Sequence, residues 1–292
     1  MPIAGPHYTI SQPGSYYLTG NVEVASGNGI NITASNVTLD FNGFALISKT
    51  VSPAAGNAID IAGNLRSIEI KNGRITGATV RTFTGPKPWN ATFAGPGWQD
   101  GIQDTGDSPS TGILLSHLTV EQCGAIGIHL DGGSSVLDHI IALNNGGTGI
   151  YASNTSVTNA TAISNGFYGI YATNGSVTNA TATSNGGNGI AAYQGSVTNA
   201  TATSNGSSGI LAHRGSVANA TATGNGGVGI YASGGSVTNS RAGSNSTIGI
   251  YVGVGVASHC VASDNSLDPA SVDKQIDVAA GGQRDACVPA SE

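Results

Sequence analysis

The sequence predicts an all-β fold, a single parallel β-helix in which short strands wind around a common axis, and three observations support it. First, the phrase SVTNATATSNG occurs at 176–186 and again, letter for letter, at 196–206. Second, a Gly-Ile pair recurs every 20 residues between 149 and 250. Third, apolar and polar residues alternate within each short piece, which is the period of a strand and not of a helix.

Each repeat contains three strand-like pieces, typified by GIYA, SVT and ATAT, which are separated by Gly and Asn. Three such strands cannot bury a face alone, but each turn can stack on the turn before it. At a spacing of about 4.8 Å, about ten turns between Gly29 and Asp268 would give a solenoid of roughly 48 Å. The crossover rule for parallel strands predicts that the β-helix is right-handed.

Stacking places equivalent residues in columns along the axis. We expect one column of asparagines to lie at a corner, where its amides bond to one another and satisfy backbone groups. Cys123 is expected to continue this column, and His117 to stack beneath His139 and Asn159 as a corner residue and not as a metal ligand. The predicted ladder consists of Asn145, Asn165, Asn185, Asn205, Asn225, Asn245 and Asn265.

The open ends of a parallel stack expose unpaired strand edges, so caps are expected. We predict an N-terminal cap at 1–28, the β-helix at 29–268 and a C-terminal cap or tail at 269–292. One long insertion, 78–100, interrupts the repeat.

Composition limits the classes of partner. Only 9% of the residues are charged, the net charge is -6, and no basic stripe exists, so a nucleic-acid partner is disfavoured. No apolar run is long enough to span a membrane. The scarcity of Lys and Glu is typical of secreted solenoids, and we expect an extracellular or cell-surface protein whose signal peptide has been removed. Among its three cysteines, Cys260 and Cys287 could form a bridge, or all three could be buried thiols.

The segments YTISQPGSYYLTGNV, GINITASNVTLDFNGFALIS and IEIKNGRITGA, followed by the Gly-Ile turns, resemble the bacterial right-handed parallel β-helix repeat proteins of the pectate-lyase-like superfamily. The resemblance covers nearly the whole chain. It implies the fold and a carbohydrate partner, because that superfamily includes lyases, hydrolases, epimerases and carbohydrate-binding solenoids. The chain lacks the Asp cluster with a downstream Arg and the D-P-H-D motif of the enzymes, which disfavours an enzyme.

The insertion at 78–100 is a candidate binding element, because long insertions in compact folds tend to be functional. It holds both tryptophans, and we predict that Trp89 and Trp98 present their rings to sugar faces. The alternative is that the insertion packs on the solenoid as a lid. We also expect residues 79–99, or a second molecule, to cover an apolar patch formed by Ile141, Leu143 and Ile163.

Polar candidates lie beside the insertion, in the column that holds Tyr151 and Tyr171. Traced towards the N-terminus, this column reads His129, Gln103 and Asp60, and Asp131 and Asp100 lie nearby in sequence. Carboxylates and a histidine on adjacent turns would be about 5–10 Å apart, a range suited to acid–base chemistry on a glycosidic bond. Asp60, His129 and Asp131 are therefore the catalytic candidates, and Asp100 and Gln103 the substrate-binding ones. The alternative is that these residues are ordinary solvated polar side chains on an outer strand face.

No cofactor is implied. The aspartates Asp100, Asp104 and Asp107 could bind calcium, but their spacing fits no EF-hand loop. The tyrosine column itself is interrupted by Ala191 and Leu211, which disfavours a continuous aromatic stripe.

Three functions follow from these observations. The first is binding of a carbohydrate polymer through the inserted loop and the polar face. The second is a polysaccharide lyase or hydrolase on that face. The third is a structural or adhesive solenoid, or an ice-binding protein that uses the Thr columns at 161, 181, 201 and 221 and at 183, 203 and 223.

Overall fold

The chain folds into a right-handed parallel β-helix, which confirms the predicted fold class. The computed structural model describes residues 1–49, 56–104, 108–265, 275–279 and 282–289. Its strands form a 22-stranded sheet, a 12-stranded sheet and one two-stranded hairpin. No helix among the described residues is long and apolar enough to cross a membrane.

The 12-stranded sheet forms one side of the β-helix, which we call the first face. Its strands begin with an inward apolar residue, which is Ile in eleven of the twelve. Neighbouring strands pair in parallel, for example Ile150 with Ile170 and Ile170 with Ile190. The strands are Tyr8–Ile10, Ile30–Ile32, Ile59–Ile61, Ile102–Asp104, Ile128–Leu130, Ile150–Ser153, Ile170–Thr173, Ile190–Tyr193, Ile210–His213, Ile230–Ala232, Ile250–Val252 and Ile276–Val278.

The 22-stranded sheet wraps around the other two sides, the second and third faces. Three long strands, Arg66–Thr76, Thr111–Glu121 and Ser135–Leu143, bend across both faces. The remaining second-face strands are Gly14–Leu18, Val37–Asp40, Thr155–Thr158, Val177–Thr178, Val197–Thr198, Val217–Ala218, Val237–Thr238, Val256–Ser258 and Gln283–Asp285, with Pro2–Ile3 paired beside the first of them. Those of the third face are Val22–Val24, Ala45–Ser48, Thr161–Ile163, Thr181–Thr183, Thr201–Thr203, Thr221–Thr223, Arg241–Gly243, Val261–Ser263 and Val288–Pro289.

Left-handed residues turn the chain from one face to the next. In the turn that begins at Ile170, Asn174, Asn179 and Ser184 have φ values of 53°, 52° and 58°. Asn tolerates this conformation because its short polar side chain bonds locally, which explains why Asn and Ser mark the corners of the repeat. His117 and His139 occupy the second of these corners, with φ values of 52° and 53°, and their rings stack at 4.8 Å. They are corner residues, as expected.

The interior is filled by the inward Ile, Val, Leu and Ala of every turn. At the third corner the predicted asparagine ladder is confirmed. The Nδ2 group of Asn185 donates to Asn205 Oδ1 at 2.9 Å and to the Ala162 carbonyl at 3.0 Å. Its Oδ1 accepts from the backbone and side-chain N–H groups of Asn165, both at 3.0 Å. Cys123 begins the series, since its N–H donates to Asn145 Oδ1.

The ends of the chain pair with the turns next to them. The strand Gly14–Leu18 pairs in parallel with Val37–Asp40, so the predicted N-terminal cap has strands that continue the stack. Most of 266–292 lies outside the described residues, and the division into caps and β-helix stays a prediction. All three cysteines are free thiols, with Cys123 and Cys260 buried and Cys287 half-buried.

Candidate functional site

The predicted insertion forms an antiparallel β-hairpin, Val80–Phe83 with Ala91–Ala94. It leaves the solenoid at the third corner and lies along that corner over the turns that follow. A Cβ atom at Gly166 would lie 3.1 Å from the Phe93 ring, and one at Gly206 would lie 2.9 Å from Trp89 Cδ1. The glycines of this corner therefore leave space for Phe93 and Trp89 of the hairpin. The hairpin packs on the solenoid at this corner.

Trp98 corrects an expectation. Its side chain is completely buried, and its indole N–H donates to the Gly27 carbonyl at 3.3 Å. Because the ring belongs to the core, it presents no face to a ligand. Trp89 is half-buried at the hairpin tip, where Lys87 Nζ lies 5.5 Å from its ring centroid.

Of the two covers expected over the apolar patch, the insertion at 79–99 leaves one member exposed. Ile141 on the third face is 43% exposed, so no described residue covers it. Leu143 and Ile163 are half-buried. An oligomer through these three residues stays a prediction. The neighbouring Thr columns align in parallel register as expected, and ice binding by them stays a hypothesis.

A continuous run of aromatic rings follows the outer surface of the first face. We call it the aromatic stripe, and each ring contacts the next. The centroid distances are 4.7 Å for His129–Tyr151, 5.0 Å for Tyr151–Tyr171, 5.4 Å for Tyr171–Tyr193 and 5.6 Å for Tyr193–His213. The stripe therefore spans four turn-to-turn steps, or about 19 Å along the axis.

The register confirms that Ala191 and Leu211 interrupt the tyrosine column, but the expectation that this interrupts the stripe is wrong. Tyr193 and His213 stand two residues further along the same strands, hence on the same outward side. Ala191 is fully buried, although it lies at an outward position. The small side chain leaves space for the ring of Tyr193 to reach Tyr171.

Two further rings widen the stripe at the third corner. Tyr168 stacks on Tyr171 with a centroid distance of 5.4 Å, and Phe167 contacts Tyr168 at 4.1 Å. Phe167 is 52% exposed. Partial burial raises the pKa of the Tyr151, Tyr168 and Tyr171 hydroxyls, so all three remain hydrogen-bond donors at neutral pH.

The predicted polar column is confirmed in register. Asp60, Gln103, His129 and Tyr151 are consecutive partners across the first face. The Nδ2 group of Asn57 joins the first two, since it donates to Asp60 Oδ1 at 3.0 Å and to Gln103 Oε1. The polar column therefore runs directly into the aromatic stripe.

His129 lies between two carboxylates at this junction. Its Nδ1 is 3.4 Å from Asp100 Oδ2, and its Nε2 is 3.6 Å from Asp131 Oδ2. Asp100 is buried, and its Oδ1 accepts the Ile126 N–H at 2.9 Å. Asp131 is 38% exposed. A fixed inner carboxylate can therefore orient the imidazole while the outer one faces solvent.

Asp104 is a buried carboxyl that sequence reasoning treated only as a calcium candidate. It points inward at the end of its strand, and Oδ2 accepts the Ser110 N–H at 3.0 Å. Its Oδ1 has no hydrogen-bond partner among the described residues. Burial raises the pKa of Asp104, and the charges of Asp131 and Asp60 raise it further. The described residues contain no group of three or more potential ligands that could hold a metal ion, and Asp107 lies outside them.

No protein-family model and no curated protein sequence matches the chain. Solved structures do match over almost its whole length. The A-module of the mannuronan C-5 epimerase AlgE4 from Azotobacter vinelandii has a TM-score of 0.65 at 15% identity, over 96% of this chain and 89% of that one. The AlgE6 A-module from the same organism gives 0.59 at 16% identity, over 96% and 91%.

A third match is ORF18 of the Geobacillus virus E2, with a TM-score of 0.61 at 13% identity, over 96% of this chain and 55% of that chain. Identities this low show the fold and not the activity. The chain is a right-handed parallel β-helix, the fold that its sequence predicts.

Proposed function

We propose that the protein binds a polysaccharide chain along its first face, outside the cell, with the aromatic stripe as the contact surface. The observation that carries this proposal is the unbroken contact from His129 to His213 on an outer face. Aromatic rings provide flat apolar area on rigid side chains, and the phenol hydroxyls add hydrogen bonds to sugar hydroxyls. The epimerases of similar fold act on mannuronan, which supports a polysaccharide as the class of ligand.

The geometry of the stripe suits an extended polymer better than a small sugar. A run of about 19 Å on an open face offers several ring positions in a row, one on each turn. The hairpin covers the neighbouring corner over the same turns, because Phe93 and Trp89 pack at Gly166 and Gly206. Trp89 is therefore a candidate for the edge of the binding surface, as the sequence indicated, with Trp98 excluded.

A glycan array with the intact protein, followed by calorimetry on any hit, tests the proposal. The variant Tyr151→Ala/Tyr171→Ala should weaken binding by roughly 100-fold, at about 1–1.5 kcal/mol per ring. Tyr17→Ala is the matched control, because Tyr17 is a 43% exposed tyrosine on the second face. Equal affinity of the two variants, or no glycan bound by the intact protein, would contradict the proposal.

A second candidate function is a polysaccharide lyase or hydrolase at the junction with the polar column. It is favoured by the position of His129 between Asp100 and Asp131, because an oriented imidazole can move a proton to or from a bound sugar. Incubation with any bound glycan, read out as new reducing ends or unsaturated products, tests it. Turnover that disappears in His129→Gln, while binding persists, would support catalysis. Binding without product leaves a binding protein.

A further inference from the structure

The charges around the aromatic stripe are unevenly distributed along its length. The strands of the first face contain no Lys or Arg, whereas Asp60 and Asp131 face outward at the end where the stripe begins. His129, beside Asp131, is already engaged by Asp100 and Asp131. The only hydrogen bond described for the Asp60 carboxylate comes from the uncharged amide of Asn57. Among the described residues, a ligand on this end of the stripe therefore meets carboxylates and no free cation.

The basic side chains of the hairpin, and of the strand ends along the stripe, are Arg81, Lys87 and Arg214. Arg214 follows His213, and Lys87 lies on Trp89 beside Gly206. These turns are about 19 Å from His129. Arg81 on the hairpin stacks on Phe83 at 4.4 Å and donates to the Pro88 carbonyl.

Salt determines how much those cations contribute at the acidic end. At physiological ionic strength the screening length is about 8 Å, well below the separation along the stripe. The cations of the far end therefore do not neutralise Asp60 and Asp131. The negative field at the beginning of the stripe reaches any sugar unit that stacks on His129 or Tyr151.

Resting on the proposed function, we propose that the ligand is an amino-sugar polymer and that the site discriminates against uronate polymers. Protonated amines on consecutive sugar units can approach Asp60 and Asp131 while the sugar faces stack on the tyrosines. A uronate chain would bring its carboxylates against those of the protein without a cation between them. The selectivity would thus differ from that of the mannuronan epimerases of similar fold.

The test compares three oligosaccharides of equal length and the same β-1,4 linkage: glucosamine, glucose and mannuronate. Calorimetry at physiological salt keeps the far-end cations screened, and EDTA removes any divalent ion that could bridge two carboxylates. We expect glucosamine to bind most tightly and mannuronate most weakly, with roughly tenfold between the extremes, since each exposed charge pair contributes a few-fold. In Asp60→Asn/Asp131→Asn the three affinities should converge, since the two carboxylates that separate them are gone.

The control is Glu23→Gln, which removes a carboxylate that pairs with Lys49 away from the first face. It should leave the order unchanged. Mannuronate that binds as tightly as glucose in the intact protein would overturn the selectivity while the proposed function stands. If none of the three binds and the glycan array is empty, both proposals fail.

Discussion

The ring of Tyr193 contacts that of Tyr171 past a fully buried alanine, Ala191, with the ring centroids 5.4 Å apart. The stripe is continuous because Tyr193 lies two residues after Ala191, the strand partner of Tyr171, and so on the same outward side. A single substitution can therefore divide the surface without touching the core.

Tyr193→Ala should shorten the usable surface from five rings to three along the strands. We expect short oligosaccharides, which occupy His129 to Tyr171, to bind as they do to the intact protein. Longer ones should lose the additional affinity that length confers, roughly tenfold for the missing ring. Calorimetry on a length series measures this. A uniform loss at every length would show that Tyr193 acts in another way.

The buried ladder predicts a large cost for Asn185→Ala. The change leaves the Ala162 carbonyl and the Asn165 donors without their partner in the interior, which costs about 3 kcal/mol in the free energy of unfolding. The control, Asn179→Ala, removes an exposed amide and forces alanine into a left-handed corner, at about 1 kcal/mol. Thermal unfolding and amide exchange in the adjacent turns compare the two. Equal losses would contradict the assigned role of the ladder.

Gly206→Ala tests the position of the hairpin. The new Cβ would lie 2.2 Å from the Gly186 carbonyl and 2.9 Å from Trp89 Cδ1, so the ring must move. In the control, Gly226→Ala, the Cβ lies 2.4 Å from the Gly206 carbonyl and meets no tryptophan. We expect a red-shifted tryptophan emission in the first variant only, because Trp98 stays in the core. The same emission from both variants would place Trp89 elsewhere.

Two aspartates predict opposite pH dependences of stability. Burial raises the pKa of Asp104, so its contribution is fully present below the unfolded pKa and is lost as the pH rises through the folded one. The pKa of Asp138 is lowered, first by its hydrogen bond with His139 and then by that from Asn159. Its contribution is present above the unfolded pKa and is lost as the pH falls through the folded value.

Asp104→Asn should therefore reduce the decline in stability that sets in as the pH rises above the ordinary range of an aspartate. Asp138→Asn should instead reduce the decline that sets in as the pH falls below it. Unfolding midpoints between pH 3 and pH 8 measure both slopes. Parallel curves for the two variants would contradict the assignment.

The two C-terminal cysteines predict a selective disulfide. Strand register places Cys287 opposite Cys260 on adjacent turns, a spacing that a disulfide can bridge. Burial raises the pKa of Cys260 to about 11, so its own thiolate is scarce. Oxidised glutathione should reduce the free-thiol count from three to one, with Cys123 as the residual thiol. Peptide mass analysis would reveal a glutathione adduct on Cys287 if the pair does not close.

Much of the fold could be predicted because the repeat fixes the register. The column from Asp60 to Tyr171 and the ladder from Asn145 to Asn265 follow from a period of 20 residues and the alternation of a strand. Tyr193 was missed because its ring crosses from one column to another, and only the small volume of Ala191 allows that. A search for aromatic residues at either outward position of each strand would have found it.

The placement of the insertion could not be predicted from the 20-residue period of the repeat. Trp98 enters the core through a contact with Gly27, which is distant in sequence, and the hairpin follows the corner because the glycines there leave space. Ile141 stays exposed for a related reason, since nothing in the repeat determines which side of the corner the hairpin covers. These outcomes depend on long-range packing and not on periodicity.

The asparagine ladder has one further consequence, for the length of the molecule. Each asparagine donates to the next one and accepts from the one before, so every turn carries a complete set of donors and acceptors. Removing residues 176–195 would delete one copy of the repeated sequence and leave the identical copy at 196–206 in its place. Asn165 would then bond to Asn205 as it now bonds to Asn185. The number of turns, and with it the length of the outer face, can therefore change by one whole turn at a time.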